Sequence, residues 1–269
     1  MTTRCAVLGK PIAHSLSPVM HRAAYARLGL DWTYDSHEVD ESELGAFLAG
    51  CDDSWRGLSL TMPLKREVIG LADEVTTVAR ILQVANTIQF RDGKVIASNT
   101  DCAGALSALA ERGVPRTRTA RILGGGATAT SIAYALASRG VEQLEFVVRR
   151  PERAAEAVAV AERTGAEVVV RLFDRPFVDV VDLLVSTVPA IAVRQRAREL
   201  VDSARAVFDV SYDPWPTPLA SAAKQAGVRL VSGLDLLAHQ AALQVELMTG
   251  SPVDVALLRN AALAELAPR

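Results

Sequence analysis

Residues 122–140 read ILGGGATATSIAYALASRG. A short apolar run ends at a glycine, and Gly124, Gly126 and Ala129 then fall in the G-x-G-x-x-A spacing at the head of an alanine-rich stretch of helical length. Small residues at those places let the chain turn tightly out of a strand and let the backbone approach a pyrophosphate held at the helix N-terminus. The loop therefore predicts a strand, a phosphate-binding turn and a helix, in that order.

Outward from this loop the pattern repeats. The runs RIL 121–123, EFVV 145–148, EVVV 167–170, DLLVS 182–186, AVFDV 206–210 and RLV 229–231 alternate with helix-length amphipathic stretches. Strands separated by helices pair in parallel through crossovers, which gives a doubly wound sheet covered on both faces. Residues 102–233 are thus expected to form a Rossmann-type dinucleotide-binding domain. In an NAD-selective domain a carboxylate about 20 residues past the glycines binds the ribose 2′-hydroxyl. Here the second strand ends in VVRRPER, with Arg149, Arg150 and Arg153. Guanidinium forks match a phosphate bidentately, and cations at a helix start oppose its dipole, so the cluster points to NADP(H).

The first hundred residues read differently. CAVLG 5–9, WTYDSHEV 32–39, GLSL 57–60, VANTIQF 84–90 and KVIAS 94–98 are candidate strands, and RDG 91–93 is a hairpin signal, so this sheet is mixed. A helix is expected from Ser17 as N-cap, with Pro18 at its first position and Gly29 as its stop, and another from Asp101 to about Arg112. Residues 234–265 read as two helices broken at GSP 250–252, with no strand after them. The fold class expected is α/β: a mixed-sheet substrate-binding and catalytic domain over 1–101, the doubly wound parallel-sheet domain over 102–233, and C-terminal helices, 234–269, returning to the first domain. The chain would then cross between domains twice, and an active site can lie between them.

Bulk properties narrow the function class. The 269 residues carry a formal net charge of −2 and are 50% hydrophobic, which offers no basic field for nucleic acid. No stretch approaches the apolar length of a membrane span, and MTTRCAVLGKP lacks a signal-peptide pattern, so a cytoplasmic protein with small-molecule partners is expected. Cys5, Cys51 and Cys102 lack C-x-x-C spacing, and His14, His21, His37 and His239 show no H-E-x-x-H pattern, so no metal is assigned.

Two stretches of the first domain carry chemistry. GLSLTMPLK 57–65 places Lys65 just past a strand end and a proline turn, and SNTDCAG 98–104 places Thr100 and Asp101 at another strand end. Singly, each polar residue has a plain account: Lys65 as a solvated helix residue, Asp101, Ser15 and Ser17 as caps, Asn86 as a strand-end group.

Taken together the motifs resemble the shikimate dehydrogenase family over essentially the whole chain. GKPIAHSLSP is similar to its N-terminal substrate motif, LTMPLK to its N-V-T-x-P-x-K segment, VANT and SNTD to its two N-T motifs, and LGGGATA to its phosphate loop; YDPWPTPL and GLDLLAHQA match its late motifs. The resemblance implies NADP(H)-linked interconversion of 3-dehydroshikimate and shikimate, a step toward aromatic amino acids. It implies Ser15, Ser17, Thr61, Asn86 and Gln240 as contacts to substrate carboxylate and hydroxyls, Tyr212 as a further substrate contact, and Lys65 with Asp101 as the catalytic pair. It implies Gly124, Gly126 and Ala127 at the pyrophosphate, Arg149 and Arg150 at the 2′-phosphate, and Thr187 and Gly233 near the nicotinamide. Ser59, Ala127, Val148 and Leu236 depart from the family pattern, which has Asn, Gly, Asn and commonly Met there. Three rivals are weighed. An NAD-linked quinate/shikimate dehydrogenase is opposed by the missing acid after the second strand. A methylenetetrahydrofolate dehydrogenase lacks the paired serines, and a non-catalytic NADP-sensing relative would have lost Lys65 or Asp101. A monomer or homodimer is expected.

Overall fold

The computed structural model describes residues 2–267. Two compact units emerge: one runs to Thr100 and resumes at Leu237, and the other is Asp101–Leu236. Each holds one six-stranded sheet.

In the first unit the strands are β1 (Thr3–Gly9), β2 (Trp32–Glu38), β3 (Trp55–Leu60), β4 (Glu74–Val75), β5 (Thr87–Arg91) and β6 (Lys94–Ser98). Their order is β2-β1-β3-β5-β6-β4. β1 runs parallel to β2 and β3, while β5 is antiparallel to β3 and β6, which is the mixed sheet expected. The β5–β6 turn uses Asp92 and Gly93 at φ of 53° and 72°, the left-handed pair that a two-residue hairpin needs. β5 starts at Thr87 rather than Val84, because the amides of Val84 and Ala85 go to Ala79 and Lys65 carbonyls instead of a ladder. The two-residue β4 pairs with β6 alone and is too short to leave a period in the sequence.

The helix Ser17–Leu28 corrects one expectation. Ser17 is its first helical residue and Leu16 stands at the N-cap, buried; the Ser17 amide donates to Ser15 Oγ at 3.3 Å. The serine that serves this helix start is thus the earlier of the two. Gly29, at φ 68°, ends it as expected. The helix Val255–Leu266 packs against Ser17–Leu28 through the buried Leu258 and Ala262, so the C-terminal segment completes the first unit.

The second unit contains β7 (Thr119–Leu123), β8 (Gln143–Val148), β9 (Glu167–Leu172), β10 (Leu183–Ser186), β11 (Ala206–Asp209) and β12 (Arg229–Ser232), ordered β12-β11-β10-β7-β8-β9. Every pairing is parallel, as the alternation of strands and helices requires. Ile122, Phe146, Val185 and Phe208 feed one core, and Leu123, Val147, Leu184 and Val207 feed the other, so both faces are covered. The strand order reverses between β10 and β7, where a crevice opens at the carboxyl ends of the strands. Charged residues interrupt the apolar pattern, Arg121 the largest of them: 1% exposed, it pairs with Glu145 on β8, donates to Ser203 Oγ at 2.9 Å and lies 4.8 Å from the Phe177 ring. A charge is tolerated there because its donors and its π face are both used.

Candidate active site

In the first unit Asn86 is the centre of a closed polar cradle. It sits between the end of β3 and the start of β5, 2% exposed. Its Nδ2 donates to Thr100 Oγ1 at 2.9 Å and to Gln240 Oε1 at 3.1 Å, while its Oδ1 accepts from the Thr100 amide at 2.8 Å. Gln244, one helical turn beyond Gln240, locks the same corner: its Nε2 donates to Asn86 O and to Thr87 Oγ1, and its Oε1 accepts from Ser59 Oγ at 2.8 Å. Tyr34 OH donates to Ser59 Oγ at 2.6 Å, and His21 Nε2 lies 3.4 Å from Gln244 Oε1. Burial pushes the His21 imidazole down to about 3, so it is neutral in this nest, and drives the Tyr34 phenol upward. The motifs gave Thr100 only as a strand-end residue and Ser59 only as a departure from the family pattern, and they did not name Gln244, for which the i, i+4 spacing from Gln240 on one helix was the available signal.

Thr61 and Lys65 follow β3 on a turn. The Thr61 amide donates to Leu8 O and its carbonyl accepts from Leu64 N at 2.8 Å; the Met62–Pro63 bond is cis. The Lys65 carbonyl accepts from Ala85 N at 2.8 Å, so the lysine backbone is tied beside the Asn86 strand and its side chain is half-buried. Ser15 is half-buried just ahead of Ser17. Two residues of the second unit belong with the predicted substrate set. Asp101 is the first residue of the helix Asp101–Glu111 and is 4% exposed. Tyr212, half-buried in the segment after β11, has its phenol raised to about 12 by burial.

The phosphate loop lies between β7 and the helix Ala127–Ser138. Gly124 takes φ +105°, and a Cβ on Gly125 would meet the Ala154 backbone at 2.5 Å, so both must be glycine for the loop to close on its neighbours. Gly126, at the N-cap, has open space where its Cβ would be, which leaves its amide side free for a phosphate, and Ala127 opens the helix. Beside the loop is a cavity of about 370 Å³ lined by Gly124, Gly125, Arg149, Arg150 and Arg153 together with Phe173, Val188 and Pro189. The three arginines leave β8 exposed. A glycine cradle beside a guanidinium cluster fits a pyrophosphate next to a ribose phosphate, which is the chemistry of NADP(H). Thr187, just past β10, donates through Oγ1 to Leu123 O at 2.8 Å beneath Gly124. Gly233 opens the helix Gly233–Thr249 so close to the Val210 carbonyl that no side chain would fit.

These features agree with what the chain resembles. Residues 7–88 match the shikimate dehydrogenase substrate binding domain, and residues 233–263 match the shikimate 5'-dehydrogenase C-terminal domain. The shikimate dehydrogenase (NADP(+)) of Moorella thermoacetica is 36% identical over 265 residues, covering 94% of this chain and 90% of that protein. The chain belongs to the shikimate dehydrogenase family. Among solved structures, Mycobacterium tuberculosis shikimate dehydrogenase superposes with a TM-score of 0.89 at 38% identity, over 97% of this chain and 99% of that one. The Thermus thermophilus shikimate 5-dehydrogenase, solved in complex with NADP(H) and shikimate, gives a TM-score of 0.87 at 32% identity over 98% and 99% of the two chains. Among the described residues no helix is long and apolar enough to cross a membrane.

Proposed function

We propose that the protein reduces 3-dehydroshikimate to shikimate with NADPH, reversibly, in the biosynthesis of aromatic amino acids. The observation that carries this reading is the pairing, in one chain of this family, of a neutral amide cradle around Asn86 with a glycine loop flanked by three arginines. The cradle suits a polyhydroxylated ring: Asn86 and Gln240 are amides whose donors and acceptors are ordered in advance, so substrate hydroxyls replace water without reorganising the site. Ser15, Ser17, Thr61 and Tyr212 complete the substrate contacts in this proposal.

NADPH, when bound, supplies the hydride. What remains for the protein is the oxygen of the ketone, where negative charge develops. Lys65 donates to that oxygen, and its ammonium, carried on a backbone tied to Ala85, stabilises the charge and holds the proton the product needs. Asp101, fixed at a helix start, orients the ammonium and accepts from a neighbouring substrate hydroxyl. Gly124, Gly126 and Ala127 hold the pyrophosphate, Arg149 and Arg150 the 2′-phosphate, and Thr187 and Gly233 bound the nicotinamide end. On this reading the protein is a cytoplasmic monomer or homodimer.

The test is direct: add shikimate and then quinate to the purified protein with NADP+ or NAD+ and follow the absorbance of the reduced cofactor, which the oxidised form does not share. Rapid turnover with shikimate and NADP+ is expected. Faster turnover with quinate and NAD+ would transfer the protein to the quinate-oxidising branch, and no turnover with either would leave it a binding protein.

A further inference from the structure

The cavity beside the phosphate loop has two unlike sets of lining side chains. Arg149, Arg150 and Arg153 line it as cations; Phe173, Val188, Pro189 and Ala192 line it as apolar groups. Phe173 directly follows β9, and its amide donates to Val148 O at 3.0 Å, which carries the β8–β9 ladder one step past both strands. Phe173 is therefore placed in register beside the arginines that follow Val148, and its side chain lines the same cavity as theirs.

Its placement is secured from behind by Arg196. The guanidinium lies 5.1 Å from the Phe173 ring and 4.4 Å from the Phe177 ring, and these two rings meet edge to face at 6.3 Å. The same group donates to the Phe173 carbonyl and, at 2.8 Å, to the Arg175 carbonyl. Glu199 receives its other donors at 2.9 and 2.7 Å and also accepts from the Phe177 amide at 3.2 Å. The Arg196 side chain is only 20% exposed, so these contacts are made largely out of water, where cation–π and charge-assisted bonds are strongest. Arg196 ends the turn Arg194–Arg196, which continues directly from the helix Ala190–Val193 that brings Ala192 to the cavity. One guanidinium thus joins the two chain segments that supply the apolar lining.

An arginine cluster lining one cavity together with aromatic and aliphatic side chains is complementary to a phosphorylated nucleoside: cations for the anion, apolar surface for the purine face. We propose that Phe173 is the residue of this pocket that contacts the cofactor's purine, and that Arg196 is the residue that positions it, by way of Phe177 and the carbonyls of Phe173 and Arg175. The proposal rests on the NADP(H) reading above.

The experiment uses the intact protein and adenosine 2′,5′-bisphosphate, which carries the purine and the 2′-phosphate but no nicotinamide. Calorimetric Kd values are measured for the parent, Phe173→Leu, Arg196→Met and the double variant, with thermal melts for each. Phe173→Leu keeps an apolar side chain and loses the π face; it is expected to weaken binding about tenfold, the scale of one base–aromatic contact. Arg196→Met should weaken binding about fivefold in the parent and hardly at all in the Phe173→Leu background, since a positioning residue has nothing left to position. Arg196→Lys, which keeps a cation over the rings, should recover part of the loss. In steady-state assays Phe173→Leu should raise KM for NADPH and NADH by the same factor, because both carry the purine, whereas Arg149→Ala should raise KM for NADPH alone. Binding by Phe173→Leu within twofold of the parent overturns the purine contact. Equal weakening by Arg196→Met in both backgrounds overturns the positioning role. No binding by the parent removes the cofactor reading, and this proposal falls with it.

Discussion

A lysine can be placed in a protein cheaply almost anywhere on the surface, so what distinguishes Lys65 is its backbone. Its carbonyl is bonded to Ala85, next to Asn86, and its side chain is half-buried rather than free in solvent. That arrangement ties the lysine backbone next to Asn86, and in the role proposed for it the ammonium supplies the positive donor that a carbonyl reduction needs at its oxygen. Lys65→Ala is expected to lower kcat by about 10²-fold or more with little change in the KM for shikimate, because the lost interaction is made mainly in the transition state. Steady-state rates decide it: a variant keeping more than half the parent kcat would remove Lys65 from the catalytic role. The motif LTMPLK makes the strand end, the turn and the lysine legible because all three are local, while the role of Lys65 stands as proposed. Gln244 is not legible in that way, because its significance lies in four partners, Ser59, Asn86, Thr87 and His21, spread across the chain. Only the fold brings them to one amide.

At the scale of elements, the parallel strands were readable because burial on both faces writes short apolar-rich runs, as in FVV 146–148 and AVF 206–208. The ends of elements were less so. Ser17 carries the right side chain for a cap, yet the buried Leu16 draws the preceding residue inward and Ser15 takes over the free amide. The segment after β11 shows a similar exchange of roles. Asp209, the last residue of β11, accepts from Thr217 Oγ1 at 2.5 Å and from the Ser211 amide at 3.3 Å, so it ties down the loop that carries Tyr212. Burial raises its carboxyl from 3.8 to about 6. A folded-state value above the unfolded one means that the protonated form favours folding: this contribution is present in full below about pH 4 and is lost as pH rises through about 6. The parent Tm should therefore fall relative to that of Asp209→Asn between pH 4 and pH 7, by the equivalent of about 1.4 kcal/mol per unit of displacement. Melting curves across that range check it, and parallel pH profiles for the two proteins would show that Asp209 is ionised in the fold with no penalty.

For the whole molecule, the two units differ in how the chain makes them. The second is one continuous segment, 101–236, with a core on each face of its sheet and with the loop, arginines and apolar lining of the cofactor pocket all inside it. The first is assembled from two remote segments: Gln244 from the C-terminal helix satisfies Ser59 and Asn86, Met248 occupies the space that a side chain at Gly57 would need, and Leu258 and Ala262 cover the helix Ser17–Leu28. The late return of the chain was inferable from helices that follow the last strand, since a closed parallel sheet has no use for them. Which groups they satisfy was not, because that depends on contacts across more than 150 residues of sequence, such as Gln244 with Asn86. The asymmetry has a measurable consequence. A fragment spanning 101–236 should fold by itself, unfold in one cooperative transition, and bind adenosine 2′,5′-bisphosphate with an affinity within about tenfold of the intact protein, since no group of that pocket is missing. A fragment spanning 1–100 should not, because removing Gln244 leaves the buried Ser59 hydroxyl without its acceptor, at a cost of about 1–3 kcal/mol, and the loss of the C-terminal helices uncovers an apolar helix face besides. Circular dichroism melts of the two fragments distinguish the cases. A cooperative transition in 1–100, or an unfolded 101–236, would show that the assignment of cores to segments is wrong.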